Sequence, residues 1–199
     1  MEAQQKDLAG EYYLRGVMET GSGFKLEADS TFQFFFSYGA LDREGKGTWK
    51  VKGDHVVFNS APRPGNDFAL VTSKQTTDDA ITIKIIDSSG FFLSHVYCLL
   101  NPIAIGSGEK QTEAVSNKSG VISFPKQHID SLTLIFEFCP ERTSVFSIKD
   151  PSHNYFEFRF EPWMMEVFFI DHSLHINGHD LEGPHPLLTG KSYDFIKNQ

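Results

Sequence analysis

Four of the chain's eight histidines, His172, His175, His179 and His185, fall in one short segment with Asp171, Asp180 and Glu182 among them. Imidazole and carboxylate donors suit zinc, copper or nickel, so His172, His175, His179 and Asp180 are the metal-ligating candidates. Their spacing works against a shared ion. Asn177-Gly178, set between alternating residues, signals a two-residue hairpin turn. With the turn centred there, Ile176 pairs with His179 and His175 with Asp180. His172 and His179 then share the face of Leu174, Ile176 and Leu181, while His175 takes the opposite face. The favoured expectation is a His175/Asp180 cross-strand pair with structural or surface histidines, and metal binding is the alternative.

Other chemistry is sparse. The chain lacks a Gly-x-Ser-x-Gly elbow. Gly190-Lys191-Ser192 ends like a phosphate loop, but His185 stands where the first glycine of that loop is required. Glu161 and Glu166 flank Pro-Trp-Met-Met, as any two acids around a bend can, without the environment that general acid work needs. Cys98 and Cys139 have no Cys-x-x-Cys spacing and sit in apolar runs, where buried free thiols are expected ahead of a disulfide. The expectation is a protein without enzymatic activity and without a cofactor.

Aromatic residues offer the remaining sites. Phe32, Phe34 and Phe36 alternate with Gln33, Phe35 and Ser37, so they share one strand face. Together with Trp49 and Phe58 they either fill a β-barrel or line one that encloses a small hydrophobic ligand. Phe35 points away from that set and is the residue at which the sheet would bind a partner. Trp163 and Met164, just after Pro162, are the second candidate contact patch, with packing into the core as the favoured expectation.

These residues need strands to position them. Alternation runs from Gly10 to Lys74, with turn chemistry at Thr20–Gly23, Asp29-Ser30, Asp42-Arg43-Glu44-Gly45 and Lys52-Gly53-Asp54. About six short strands result. The polar stretch Ser73–Asp79 marks a boundary, giving domains over 1–75 and 76–199. Ile81, Ile83 and Ile85, then Phe156, Phe158 and Phe160, alternate in the second, and Leu132–Phe138 reads as a central strand. No stretch carries helical periodicity, so the fold class is all-β. A net charge of -8 disfavours nucleic acid and anionic lipid. No apolar run approaches the roughly 20 residues of a spanning helix.

Two resemblances follow from particular residues. Gly10-x-Tyr-x-Leu, Phe24-x-Leu-x-x-Asp-x-x-Phe32, Tyr38, Gly47-Thr-Trp49 and Val56-x-Phe58 resemble a lipocalin-related bacterial envelope module. They are similar in particular to the small N-terminal barrel of copper-resistance and surface-sensing lipoproteins, without the cysteine pairs of that family. Ile81-x-Ile, Asp87-x-x-Gly90, Val96, Ala114 and Gly120-x-Ile-x-Phe124 resemble a transthyretin-like or carboxypeptidase-regulatory β-sandwich. The resemblances imply a lipocalin-like meander or barrel followed by a transthyretin-like sandwich. They imply a non-enzymatic bacterial envelope protein that binds another protein, with a small hydrophobic ligand as the alternative. The N-terminal MEAQQKDLAGEYY has no basic or apolar leader pattern. A periplasmic or envelope location is expected if a signal peptide has been removed from the chain, and a cytoplasmic one otherwise.

Overall fold

The computed structural model describes residues 7–88, 90–103, 110–190 and 192–198. Lys191 of the phosphate-loop-like match and residues 104–109 of the loop expected over Asn101–Gly108 lie outside them. In chain order the strands are β1 (Gly10–Leu14), β2 (Thr20–Leu26), β3 (Thr31–Tyr38), β4 (Leu41–Lys52), β5 (His55–Asn59), β6 (Phe68–Lys74), β7 (Ala80–Ile86), β8 (Val96–Leu100) and β9 (Thr112–Val115). They continue as β10 (Val121–Pro125), β11 (Ser131–Phe136), β12 (Ser144–Ser147), β13 (Tyr155–Phe160), β14 (Glu166–Val167), β15 (His172–Asn177), β16 (Asp180–Gly183) and β17 (Tyr193–Lys197). The protein is all-β.

The chain divides into two compact units, one made of Met1–Pro64 with Met165–Gln199 and the other of Gly65–Met164. The observed division therefore differs from a cut near residue 75. Part of the polar stretch expected to be the boundary belongs to strand β6, and the segment after Met164 returns to the first unit. Barrel closure explains the return. Unpaired, β1 and β5 would be open sheet edges; β17 pairs with β1 and β15 with β5, and β16 joins the two.

The first unit is a closed antiparallel barrel of eight strands, in the order β4-β3-β2-β1-β17-β16-β15-β5 with β5 returning to β4; β14 adds in parallel along β4. Phe24, Leu26, Phe32, Phe34, Phe36, Trp49, Val56, Phe58, Leu174, Leu181 and Phe195 point inward and are buried. Thr20–Gly23, expected as a turn, instead opens strand β2 and pairs with β3, the chain turning just before it at Met18-Glu19. Two further local expectations change. Asp42-Arg43-Glu44-Gly45 is strand, because β3 and β4 turn earlier, at Gly39-Ala40 between the paired Tyr38 and Leu41. Arg43 is buried, and its Nε donates to the Met165 carbonyl at 3.5 Å. Gly45 faces inward where a Cβ would lie 2.6 Å from the Phe169 ring and 2.9 Å from the Val167 carbonyl. A side chain there would keep β14 from its place on β4.

The second change is at the Asn177-Gly178 hairpin. Asn177 pairs with Asp180, Ile176 with Leu181 and His175 with Glu182, so Gly178-His179 is the turn. Gly178 has φ 64, the positive value that suits glycine at the first central position of a two-residue turn. The turn is thereby shifted by one residue and each cross-strand partner by two from the expected register.

The second unit holds two four-stranded sheets, β10-β7-β13-β6 and β12-β11-β8-β9. Inward faces carry Ile81, Ile83, Ile85, Phe156 and Phe158 on the first, and Val96, Cys98, Leu100, Leu132, Leu134 and Phe136 on the second. Rings meet between the sheets, Phe146 with Phe158 at 4.7 Å and Phe136 with Phe160 at 5.2 Å. Cys98 and Cys139 are buried free thiols, and burial pushes the Cys98 thiol up to about 12.

Candidate functional site

The barrel interior is occupied by its own rings. Phe24 lies 4.6 Å from Phe58, 4.9 Å from Phe34 and 5.2 Å from Phe195 between centroids, and Phe32 lies 5.1 Å from Phe169. Two histidines join this packing. His172 sits against Phe169 at 5.5 Å and Phe24 at 6.3 Å. A hydrogen bond to Pro184 must use that residue's carbonyl, since proline has no N–H. His172 Nε2 is buried with no hydrogen-bond partner among the described residues.

His185 is more completely tied. The Leu187 and Leu188 amides donate to its Nδ1 at 3.0 and 3.1 Å. The proton of the neutral ring therefore sits on Nε2, which donates to Ser22 Oγ at 3.0 Å. Ser22 in turn donates to the Phe35 carbonyl at 2.8 Å. Burial depresses both rings to about 4, with a further contribution at His185 from the nearby His172. Both are neutral interior groups near neutral pH.

On the outer face of β1–β4 lies a groove of about 400 Å³ lined by Tyr13, Phe35, Gln33 and the charged residues Glu11, Lys25, Glu44, Lys46 and Glu166, among others. Two cross-strand rows build it. One runs Tyr13, Gly23, Phe35, Glu44, Glu166, and the other Glu11, Lys25, Gln33, Lys46. Gly23 is the place where side-chain absence matters, because a Cβ there would come 2.9 Å from Phe35 Cε1. The Phe35 ring lies over this bare backbone and meets Tyr13 edge-on at 6.1 Å. Even so packed, Phe35 remains 40% and Tyr13 43% exposed. The Tyr13 hydroxyl donates to Glu11 Oε2 at 2.7 Å, which raises the phenol's pKa, and Lys25 pairs with Glu27 at 2.8 Å.

The structure thus places Phe35 in a groove and leaves the other candidates apart from it. Met164 is buried, its carbonyl accepting from Cys139 Sγ at 3.1 Å and from Arg142. Trp163 is half-buried, and its Nε1 donates to Asn66 O at 3.1 Å. Among the metal candidates, His172 is inside the barrel and His179 is in the exposed hairpin turn. His175 faces outward, 3.5 Å from Asp54, and Asp180 accepts from the Lys197 amide at 2.9 Å. Among the described residues, no group of three or more His, Cys, Asp or Glu side chains could hold a metal ion.

One arrangement had no sequence signal. Ser73 Oγ lies 2.6 Å from His153 Nδ1, and His153 Nε2 lies 3.5 Å from Asp150 Oδ2. It resembles a hydroxyl–imidazole–carboxylate relay, but Asp150 receives the Ser152 amide and hydroxyl at 2.9 and 2.7 Å and is half-exposed. Those bonds hold a local turn and leave the carboxylate poorly aligned to orient the imidazole. In the groove, Tyr13 could be assigned to the outer face from alternation with Tyr12. Glu166 could not, because it arrives through the distant β14–β4 pairing.

No family model matches the chain, and no curated protein or solved structure matches it.

Proposed function

We propose that this protein is a non-catalytic binding protein that engages a segment of another protein through the groove on the outer face of β1–β4. The carrying observation is the half-exposed Tyr13–Phe35 pair standing in a groove of about 400 Å³. Exposed aromatic anchors surrounded by polar residues are the usual centre of a protein contact. A lipocalin-like barrel with a filled interior supports an outer binding surface over a luminal one, since the rings that would line a lumen pack on each other. The transthyretin-like reading of the second unit and the bacterial envelope setting rest on the sequence resemblances, and they fit a role in assembly or partner capture. Selection of a random peptide library on the purified protein tests the assignment. Enriched peptides should lose binding to Phe35→Ser or Tyr13→Ser protein that keeps its far-ultraviolet spectrum. Enrichment indifferent to both substitutions would refute it.

A further inference from the structure

We propose that the pairing of β5 with β15 is a proton-operated latch, which opens at its His172 end on acidification and stays clasped at its Asp54 end. The seam is short, running from His172–Phe58 through Ser173–Val57 and Leu174–Val56 to His175–His55, and it closes the C-terminal strands onto the N-terminal meander. Its histidines lie in opposite environments, one inside the barrel and two outside.

His172 points inward, with the rings of Phe169, Phe58 and Phe24 at 5.5, 6.2 and 6.3 Å. Its bond to the Pro184 carbonyl uses Nδ1, because Nε2 is buried without a hydrogen-bond partner among the described residues. Nε2 is therefore the atom that takes up a proton. The N–H created there would be buried among apolar rings with no acceptor, and with the His185 imidazole nearby. The adjacent carboxylate, Asp171, is exposed and engaged elsewhere: its Oδ1 accepts from Asn59 Nδ2 at 3.2 Å, and its amide donates to Asn59 Oδ1 at 2.9 Å. Moving His172 into water satisfies the imidazolium at the cost of those two bonds and the first pairs of the seam.

The other end responds in the opposite sense. Asp54, in the turn between β4 and β5, bridges both outer histidines. Its Oδ1 lies 2.7 Å from His55 Nδ1 and its Oδ2 3.5 Å from His175 Nε2, and the two rings meet at 5.4 Å. The Asp54 carbonyl also accepts the Ile176 amide at 2.8 Å, which carries the strand contact past His175. Lys52 and Glu182 flank this pair, Lys52 as the cross-strand partner of His55 and Glu182 as that of His175. The hydrogen bond from His55 holds the Asp54 carboxyl below its ordinary range, so it stays ionised when the imidazoles gain protons. Protonation turns these contacts into ion pairs and strengthens this end while it loosens the other.

Amide hydrogen exchange on the whole protein, read by NMR from pH 7 to 5 and corrected for intrinsic rates, tests the latch. The Asp171 amide reports on the His172 end and the Ile176 amide on the clasped end. An exposed histidine titrates near 6.5, whereas burial holds His172 to about 4. Release of this one ring should raise the Asp171 opening constant about twentyfold between pH 7 and 5, approaching tenfold per pH unit at the acid end. The Ile176 amide should change little. His172→Phe should remove the rise while keeping protection at pH 7, and Asp54→Asn should let Ile176 open together with Asp171. An Asp171 opening constant that is flat with pH, or that rises equally in His172→Phe protein, would overturn the latch. Ile176 staying protected in Asp54→Asn protein would overturn the clasp. A rise approaching a hundredfold per unit and shared by both amides is the two-proton signature of global unfolding, and it would overturn the proposal in the parent protein alone, even if His172→Phe does not fold.

Discussion

His185 Nε2 and Ser22 Oγ, 3.0 Å apart, join the loop between β16 and β17 to β2 inside the barrel. Ser22 passes the contact on to the Phe35 carbonyl at 2.8 Å, so the backbone beneath the groove is fixed from within by a neutral imidazole. Aromatic rings surround that imidazole, including Phe195, stacked at 5.9 Å.

The first prediction is pH dependence. Unfolded histidines titrate near 6.5, whereas His172 and His185 are held down to about 4 by burial. Above about pH 6.5 the rings are neutral in both states and contribute no slope. Between about 6.5 and 4 the unfolded chain binds protons that the folded chain does not, so stability falls as pH falls, by up to roughly 2–3 kcal/mol per ring. Urea midpoints across this window should decline, and His172→Phe should flatten the decline. An unchanged slope in that variant would contradict the assignment.

A second prediction concerns the other unit. Arg142 Nε pairs with Asp67 Oδ2 at 2.8 Å, both side chains being largely buried. Removing one member strands a buried charge, so Arg142→Met or Asp67→Asn should each cost about 3–5 kcal/mol. Replacing both by apolar residues should recover much of that loss. Because the residues belong to the unit Gly65–Met164, the effect should appear in its unfolding transition. Chemical denaturation of the three variants, followed by a probe in that unit, checks it.

Much of this architecture was legible, and the failures have definite causes. Phe32, Phe34 and Phe36, like Ile81, Ile83 and Ile85, announce their buried face by alternation, and the same logic puts Phe35 outside. Asp42-Arg43-Glu44-Gly45 misleads because charged residues with glycine imitate a turn. What overrides the local signal is tertiary: Arg43 finds a carbonyl at Met165, and Gly45 gives Phe169 room. Barrel closure is equally non-local. Phe195 and Leu181 look like ordinary apolar strand residues, and nothing in their neighbourhood tells that they pair with each other and complete the N-terminal meander. The groove inherits this limit, since its aromatic half is local and its Glu166 comes from far along the chain.

The tight passage at Gly45 leads to the third prediction. Gly45→Ala would put a methyl group 2.6 Å from Phe169 Cε2 and 2.9 Å from the Val167 carbonyl. Overpacking of this kind costs about 1–3 kcal/mol. Relief comes most directly by lifting β14 from β4, so hydrogen exchange should accelerate at Glu166 and Val167 more than at β2 or β3 in this variant. Uniform acceleration around the barrel would instead mean that the strain is spread through the core.

The filled interior supplies the last prediction. Phe24 touches Phe32, Phe34, Phe58, Phe169 and Phe195 and is 1% exposed, so its ring is a hub of the packing. Phe24→Ala should cost about 3–5 kcal/mol and leave a dry, ring-lined space. Apolar cavities of that kind take up small aromatics. Benzene or indole should therefore raise the melting temperature of Phe24→Ala protein and have little effect on the parent, whose rings already fill the site. Equal stabilisation of both proteins would mean that the parent barrel holds a ligand-sized opening, and a luminal carrier role would then displace the outer groove as the better account of the fold.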